Sequence, residues 1–454
     1  MGGDGLIRRF RQAAFAPVDI ASLVYFRIAY GLILLWEVWR YLKGGRIERY
    51  FLEPSFHFKF LGFGWVQNWP GDGLYYHFYA IGILAIFVAV GFLYRVSATL
   101  LFLAFSYVFL LEQALYLNHF YFIALVGFLM IWVPANRSAS WDVRLRPSIQ
   151  SDWAPAWALW ILRAQMGVVY FFGGVAKLNS DWLKAAPLRD WLPDRADFPI
   201  IGPALTELWT AYAFSYTGLV IDLLAAPCLL WRPTRPYAFA VLATFHWMND
   251  QLFSIGVFPW FALAMTALFF PADWPRQLVR WSRTRDSDPG PAPRGLSFSQ
   301  TAGAWVLGAF FLVQCSFPLR HLLYPGNVSW TEEGHNFSWH MKLRDKEAAA
   351  EFIVTDPDRA RIQRISPEEE LTSWQYSEMA ARPDLILQYA HHLAARARER
   401  GETRVQVRAA VLASLNGREE QFLIDPRADL ALKSRTWIEP ADWILPLEKE
   451  LPPD

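Results

Sequence analysis

The sequence predicts an α-helical integral membrane protein of about nine transmembrane helices, with a C-terminal extracytoplasmic α+β domain. Three observations predict it. The 454-residue chain is 54% hydrophobic and only 19% charged, against about 25% charged for a soluble protein. Almost half of its Asp, Glu, Lys and Arg side chains fall after position 320. Apolar stretches long enough for a span recur through the first 317 residues. Lipid therefore suits residues 1–317 and water suits 318–454, which sets the expected domain boundary. The same balance excludes disorder, collagen and coiled coil. A net charge of +1 gives no case for a nucleic-acid partner.

The candidate spans are 17–42, 73–94, 97–116, 120–134, 153–178, 205–231, 237–248, 253–270 and 302–317. The first is too long for the apolar core of a cleavable signal and has no small-residue cleavage site. The seventh is short, and the polar run Asn249-Asp250-Gln251 interrupts the chain before the eighth. With the N-terminus in the cytoplasm, the cytoplasmic segments hold fourteen Lys and Arg residues and the opposite loops nine. That bias supports this orientation, and nine spans then leave the C-terminal domain outside. Residues 287–294 are a loop by their Pro and Gly content. Beyond residue 318, strands are expected at 336–343, 351–355 and 404–413. A helix is expected at 383–400, and Asn416-Gly417 is expected to turn the chain into a last strand at 421–424. Cys228 and Cys315 lie in apolar stretches and read as buried small hydrophobes, with no disulfide framework or zinc motif around them.

Ionisable groups inside a bilayer are costly and are functional candidates by default. Here they are Arg27, Glu37, Glu112, His119, Arg163, Lys177, Asp222 and His246. Arg163, Tyr170 and Lys177 are seven residues apart and share one helix face. Gly173 and Gly174 beside Lys177 allow a close approach to the backbone. Spacing alone leaves two readings of Lys177. It snorkels to the interface, or it is a buried amine acting as a base, a role that needs the neutral form favoured by burial. His119 follows Asn118 where the chain re-enters the membrane, and an interfacial, water-satisfied histidine stays open there. His246 and Asn249 sit at the interrupted connection, either a tight turn or a broken helix lining a cavity. There is no Walker loop, dinucleotide-binding glycine motif, HExxH or GxSxG.

Several stretches resemble vitamin K-dependent γ-glutamyl carboxylase, within the group of horizontally transferred transmembrane domains. They are YFFGGVAKLNSDW from Tyr170, FHWMNDQLFSIGVFPWFALAMTALFFPADW from Phe245, FSWHMKLRD from Phe337 and FLIDPRADL from Phe422, with FLYR, YVFLLEQ, the Asn118-His119 pair and LRAQ between residues 92 and 165. The resemblance implies that Lys177 deprotonates a quinol and that His119 assists at the substrate carbanion. It implies a cofactor of the reduced vitamin K type, a menaquinol or a phylloquinol, with O2 and CO2 as co-substrates and no metal. Asn118, Tyr170, His246 and Asn249 are the expected cofactor contacts. Arg163, on the face of Lys177, and Arg427 and Trp339, in the family-like motifs, are the expected substrate contacts. An exposed ion pair of Arg427 with Asp425 or Asp429 stays open. Two departures stand out. The animal enzymes have two consecutive lysines where this chain has Ala176-Lys177, and a Tyr at Phe337.

The implied chemistry suits the residues. A glutamyl γ-carbon proton is too weakly acidic for any side-chain base, so oxidation of the quinol must supply a stronger one, in a dry site. The partners are then a glutamate-containing protein or peptide, membrane lipid and the quinone. The expected location is a bacterial cytoplasmic membrane with the C-terminal domain outside. Two other functions remain in view: a quinol epoxidase or oxygenase without glutamate carboxylation, and a non-catalytic quinone-binding membrane protein.

Overall fold

Proline and glycine punctuate a series of apolar runs, and those breaks set the helices of the membrane domain. The computed structural model describes residues 9, 11–253, 255–282, 298–436 and 438–452. The loop expected at 287–294 lies outside the described residues, as do Arg8, Arg283, Arg285 and Arg294 of the charge tally. Helix α1 (Ala21–Lys43) stops at the pair Gly44-Gly45, and α2 (Gly73–Val90) stops at Gly91, which takes a left-handed φ of +67°. α3 (Tyr94–Leu111) and α4 (Asn118–Trp132) follow, the latter ending just before Pro134. α5 (Ala156–Ala176) begins directly after Pro155. α6 (Leu208–Leu230), α7 (Arg235–Phe253), α8 (Phe258–Thr266) and α9 (Phe298–Ser316) complete the set. Two short antiparallel strands, β1 (Pro17–Asp19) and β2 (Trp153–Pro155), tie the start of α1 to the start of α5. Arg276 bridges Asp19 at 2.8 Å and Asp152 at 2.7 Å there.

Among the described residues, six helical segments are long and apolar enough to cross a membrane: α1, α2, α3, α5, α6 and Thr301–Leu323. The expected nine are not reproduced by that measure. α4 and the segment Phe258–Phe269 are apolar but shorter, and α7 carries His246 and the polar run after it. The expected break at Asn249-Asp250-Gln251 is absent, because α7 runs through it to Phe253. The polar side chains are simply its last turn. Cys228 is half-buried and Cys315 is exposed, so Cys315 is not the buried hydrophobe expected.

The C-terminal region folds around a four-stranded antiparallel sheet of β3 (Lys346–Asp356), β4 (Arg361–Ile365), β5 (Gln406–Leu415) and β6 (Gln421–Phe422), in the order β4-β3-β5-β6. Phe352 faces Ala409 and Val354 faces Val407 across the β3–β5 ladder. These residues and Val411 bury one sheet face against Leu385, Ile386, Tyr389 and Leu393. Those four come from α11 (Pro383–Glu399), which follows α10 (Ser373–Ala380). Asn416 and Gly417 take φ of +53° and +75° after β5, as expected of an Asn-Gly turn.

The strand expected at 336–343 does not form. Its alternation suits a strand, but Phe337, Trp339 and Lys342 take positive φ and the chain coils. Side chains of the membrane domain satisfy its backbone in place of a sheet neighbour. The Phe337 N–H donates to Tyr116 Oη at 2.7 Å, and the Asn118 amide donates to the His340 carbonyl at 3.0 Å. Further contacts seat the domain. Arg418 grips Asp181 with two bonds of 2.8 Å, and Asn416 adds a third at 2.7 Å. Asp181 follows α5 closely, so the clamp holds the end of the helix that carries Lys177. Burial alone would raise the Asp181 carboxyl, but these donors outweigh it and hold it low.

Candidate active site

The site grows from the contact between α5 and α6. A Cβ at Gly174 would lie 2.7 Å from the Leu223 side chain and 3.0 Å from its backbone nitrogen, so the approach requires glycine. That approach sets Lys177, at the end of α5, against Asp222 of α6. Lys177 Nζ lies 2.6 Å from Asp222 Oδ2 and 3.2 Å from the Gly173 carbonyl oxygen. The ammonium also stands 5.3 Å from the centre of the Trp182 ring. Both side chains are almost wholly enclosed.

Two turns earlier on α5, Tyr170 Oη lies 2.9 Å from His246 Nε2 of α7 and 3.2 Å from Thr266 Oγ1 of α8. The other ring nitrogen of His246, Nδ1, is buried without a hydrogen-bond partner among the described residues. At the start of α4, Asn118 is fixed between Tyr116 Oη and the His340 carbonyl. His119 beside it packs its ring against Phe120 and Phe258.

Lys177, His119, Asn118, Tyr170, His246 and Asn249 all line one cavity of about 360 Å³. Aromatic side chains including Phe214, Phe245, Phe253 and Phe258 form much of its wall. A second cavity of about 390 Å³ lies between the C-terminal domain and the 60–61 loop, and none of the expected site residues lines it. The C-terminal domain adds to the wall of the first cavity through residues 335–336 and 340–344 of the coiled segment and through Glu378 and Arg382. From that wall, Arg344 Nη2 donates to Glu332 Oε2 at 2.8 Å. Burial pushes Glu332 up, but Arg344, His335 and Lys346 outweigh it and hold the carboxyl at about 2. Burial lowers Lys346 to about 7 and His335 to about 3.

Three expected contacts lie elsewhere. Arg163 donates Nε to the Leu268 carbonyl at 2.8 Å and Nη2 to the Phe270 carbonyl at 3.1 Å. It shares the face of Lys177, but fourteen residues of helix separate the two by about 21 Å. Arg427 is exposed, its N–H bonded to Asp425 Oδ1 in a turn after β6. Trp339 is 1% exposed, packed on Tyr121 and Phe122 in the membrane-domain core, and does not line the cavity. Sequence reasoning gave no role to Asp222, His340 or Arg382. The signal for Asp222 was present: it is already among the intramembrane ionisable candidates, and it is the lone carboxylate of α6.

A bundle of apolar helices, an aromatic-walled cavity and a sheet-containing domain that contributes part of its wall define a class of membrane-embedded proteins. A family model described as the HTTM domain matches residues 15–274. A second, described as the vitamin K-dependent gamma-carboxylase lumenal domain, matches residues 299–450. The chain belongs to the HTTM family, and its paired domains make it a γ-glutamyl carboxylase-like membrane protein with an extracytoplasmic domain. The second match points to carboxylase-type function dependent on vitamin K. No solved structure matches the chain.

Proposed function

We propose that the protein couples oxidation of a reduced naphthoquinone by O2 to γ-carboxylation of glutamate in a protein or peptide, with the Lys177–Asp222 pair as the proton acceptor. The observation that carries this is the enclosed 2.6 Å contact of that pair, opening on a cavity that also holds His119, Asn118 and the Tyr170–His246 bond.

The cavity suits a quinol in three ways. Its size falls in the range of ligand pockets, about 300–1,000 Å³. Its wall is largely aromatic. It holds the orphaned His246 Nδ1, a buried polar atom that a ligand can satisfy. If Tyr170 donates to Thr266, His246 Nε2–H donates to Tyr170 and Nδ1 accepts from a hydroxyl. If Tyr170 donates to His246, Nδ1 carries the proton and donates to a ketone. A quinol and its oxidised form need those two states in turn. When bound, the reduced naphthoquinone supplies, with O2, the strong base that a glutamyl γ-C–H requires.

Lys177 and Asp222 together hold one shared proton and are neutral as a unit. Lys177 passes its proton to Asp222 Oδ2 and takes another from a hydroxyl at Nζ. The ammonium at Nζ would then stabilise negative charge on a ligand oxygen, an attraction that low polarity makes strong. In this reading His119, which lines the same cavity, stabilises charge at the substrate carbon. The aromatic wall and the seated 335–344 segment keep water out. A bacterial cytoplasmic membrane, with the sheet domain outside, suits a quinol drawn from the bilayer.

The test incubates purified protein with a glutamate-containing peptide, the reduced quinone, O2 and labelled bicarbonate, and measures fixed label and quinone epoxide in one tube. The proposal expects both in comparable amounts. Epoxide without fixed label would mark a quinol oxygenase, and neither product would leave a quinone-binding protein.

A further inference from the structure

Arg382 caps the start of α11 and reaches the cavity from the C-terminal domain. It is only 4% exposed, yet its Nε and Nη2 atoms have no hydrogen-bond acceptor among the described residues. Its carboxylate neighbours stand off, with Glu378 at 3.6 Å from Nη1 and Asp384 at 4.0 Å from Nε. Nε–H and Nη2–H form one edge of the guanidinium, the edge that receives both oxygens of a carboxylate. The comparison with Arg344 is direct. Arg344 lines the same cavity, but Glu332 is already paired with it, accepting from Nη2 at 2.8 Å and standing 2.6 Å from Nε. His340 on the same wall has both ring nitrogens buried and unbonded. Burial and the neighbouring His335 and His321 hold its imidazole well below the ordinary range, so it is neutral and offers one N–H. A buried, unfilled bidentate edge beside a free imidazole is a receptor for a carboxylate that is absent here.

We infer that Arg382, with His340 beside it, binds the γ-carboxylate of the glutamyl side chain and sets the preference for an anionic substrate over its amide. This rests on the carboxylase reading, and it supplies the anchor that Arg163 and Arg427 do not. The segment 335–344 is pinned to Tyr116 and Asn118, so a carboxylate held at Arg382 is held in the same cavity as His119 and Lys177.

The test measures binding of a short peptide carrying one glutamate, and of the same peptide with glutamine, to the full chain in detergent. The wild type is expected to prefer the glutamate form at least about tenfold. Arg382→Gln should remove that preference, weakening the glutamate peptide by about 10- to 100-fold and leaving the glutamine peptide unchanged. Arg382→Lys keeps the charge but not the fork and should fall between, which keeps the test open if the glutamine variant does not fold. Discrimination equal to wild type in the folded variants would overturn the inference, as would a wild type with no preference. The labelled-bicarbonate assay separates this from the carboxylase reading. Fixed label with Arg382-independent binding sinks the Arg382 assignment alone. Arg382-dependent binding without fixed label sinks the carboxylation alone.

Discussion

Two buried cations in the membrane domain differ in what surrounds them. Arg27 of α1 is fully buried, and carbonyls answer its donors: Ala89 at 3.2 Å, Ala135 at 2.7 Å, and Ala139 at 2.6 Å. It stitches the α2 terminus to the turn after α4 and leaves no room for a ligand. Lys177 is nearly as enclosed, but it meets one carboxylate, one carbonyl and an open cavity. Intramembrane charge alone therefore does not mark a functional residue. What marks it is polar capacity left unfilled beside space. Arg163 falls with Arg27 on that test, and Arg382 falls with Lys177.

Breaking the Lys177 side of the comparison should have the largest effect. Lys177→Ala should cut label fixation and epoxide formation together by at least about 100-fold, the range of general acid–base catalysis. Asp222→Asn keeps the shape but not the proton acceptor, and should fall nearly as far while the protein stays folded. Full activity in Asp222→Asn would show that Lys177 acts without it. His119→Ala should lower carboxylation by about 10- to 100-fold with a smaller loss of epoxide. Equal loss of both would move His119 to the quinone.

The next effect is on stability. Glu332→Gln leaves Arg344 and Lys346 buried without their carboxylate and should destabilise the C-terminal domain by about 3–5 kcal/mol, seen as a lowered unfolding midpoint. Its pH dependence has a definite sign. The carboxyl sits at about 2 when folded, against an ordinary 4.5. The unfolded chain therefore binds the proton first as pH falls. The stabilisation is complete above about 4.5 and is lost between there and about 2, so wild type and variant should converge in acid. A gap that persists at low pH would mean that packing, not charge, holds the cluster.

Breaking the Arg27-like side should leave chemistry alone. Arg163→Gln frees the Leu268 and Phe270 carbonyls and should cost about 1–3 kcal/mol of stability, with the KM for peptide unchanged. A raised KM at normal stability would return Arg163 to the substrate. Arg427→Ala should change stability by less than about 0.5 kcal/mol and activity not at all.

These contrasts also explain what the sequence could and could not convey. Apolar runs bounded by proline and glycine made the helices legible, and period-two alternation did the same for β5. The same alternation misled at 336–343, because a hydrogen bond to Tyr116 and one from Asn118, more than two hundred residues away, replace a strand partner. Heptad spacing placed Arg163 on the face of Lys177, and the same fourteen residues at helical rise already set it about 21 Å along α5. The polar run after His246 looked like a break, yet it ends a continuous helix whose buried histidine meets Tyr170. The Lys177–Asp222 pair needed the α5–α6 packing at Gly174 to become visible. Arg382 was illegible, since nothing local distinguishes a guanidinium with filled donors from one without.

The central claim is that the Lys177–Asp222 pair takes the proton that starts both reactions. The most direct measurement assays Lys177→Ala with and without a small exogenous amine, following fixed label and quinone epoxide together. The account predicts that both are lost without the amine and return in parallel as it is added, because a soluble base refills the place beside Asp222. Epoxide formation at the wild-type rate in Lys177→Ala without amine would contradict it.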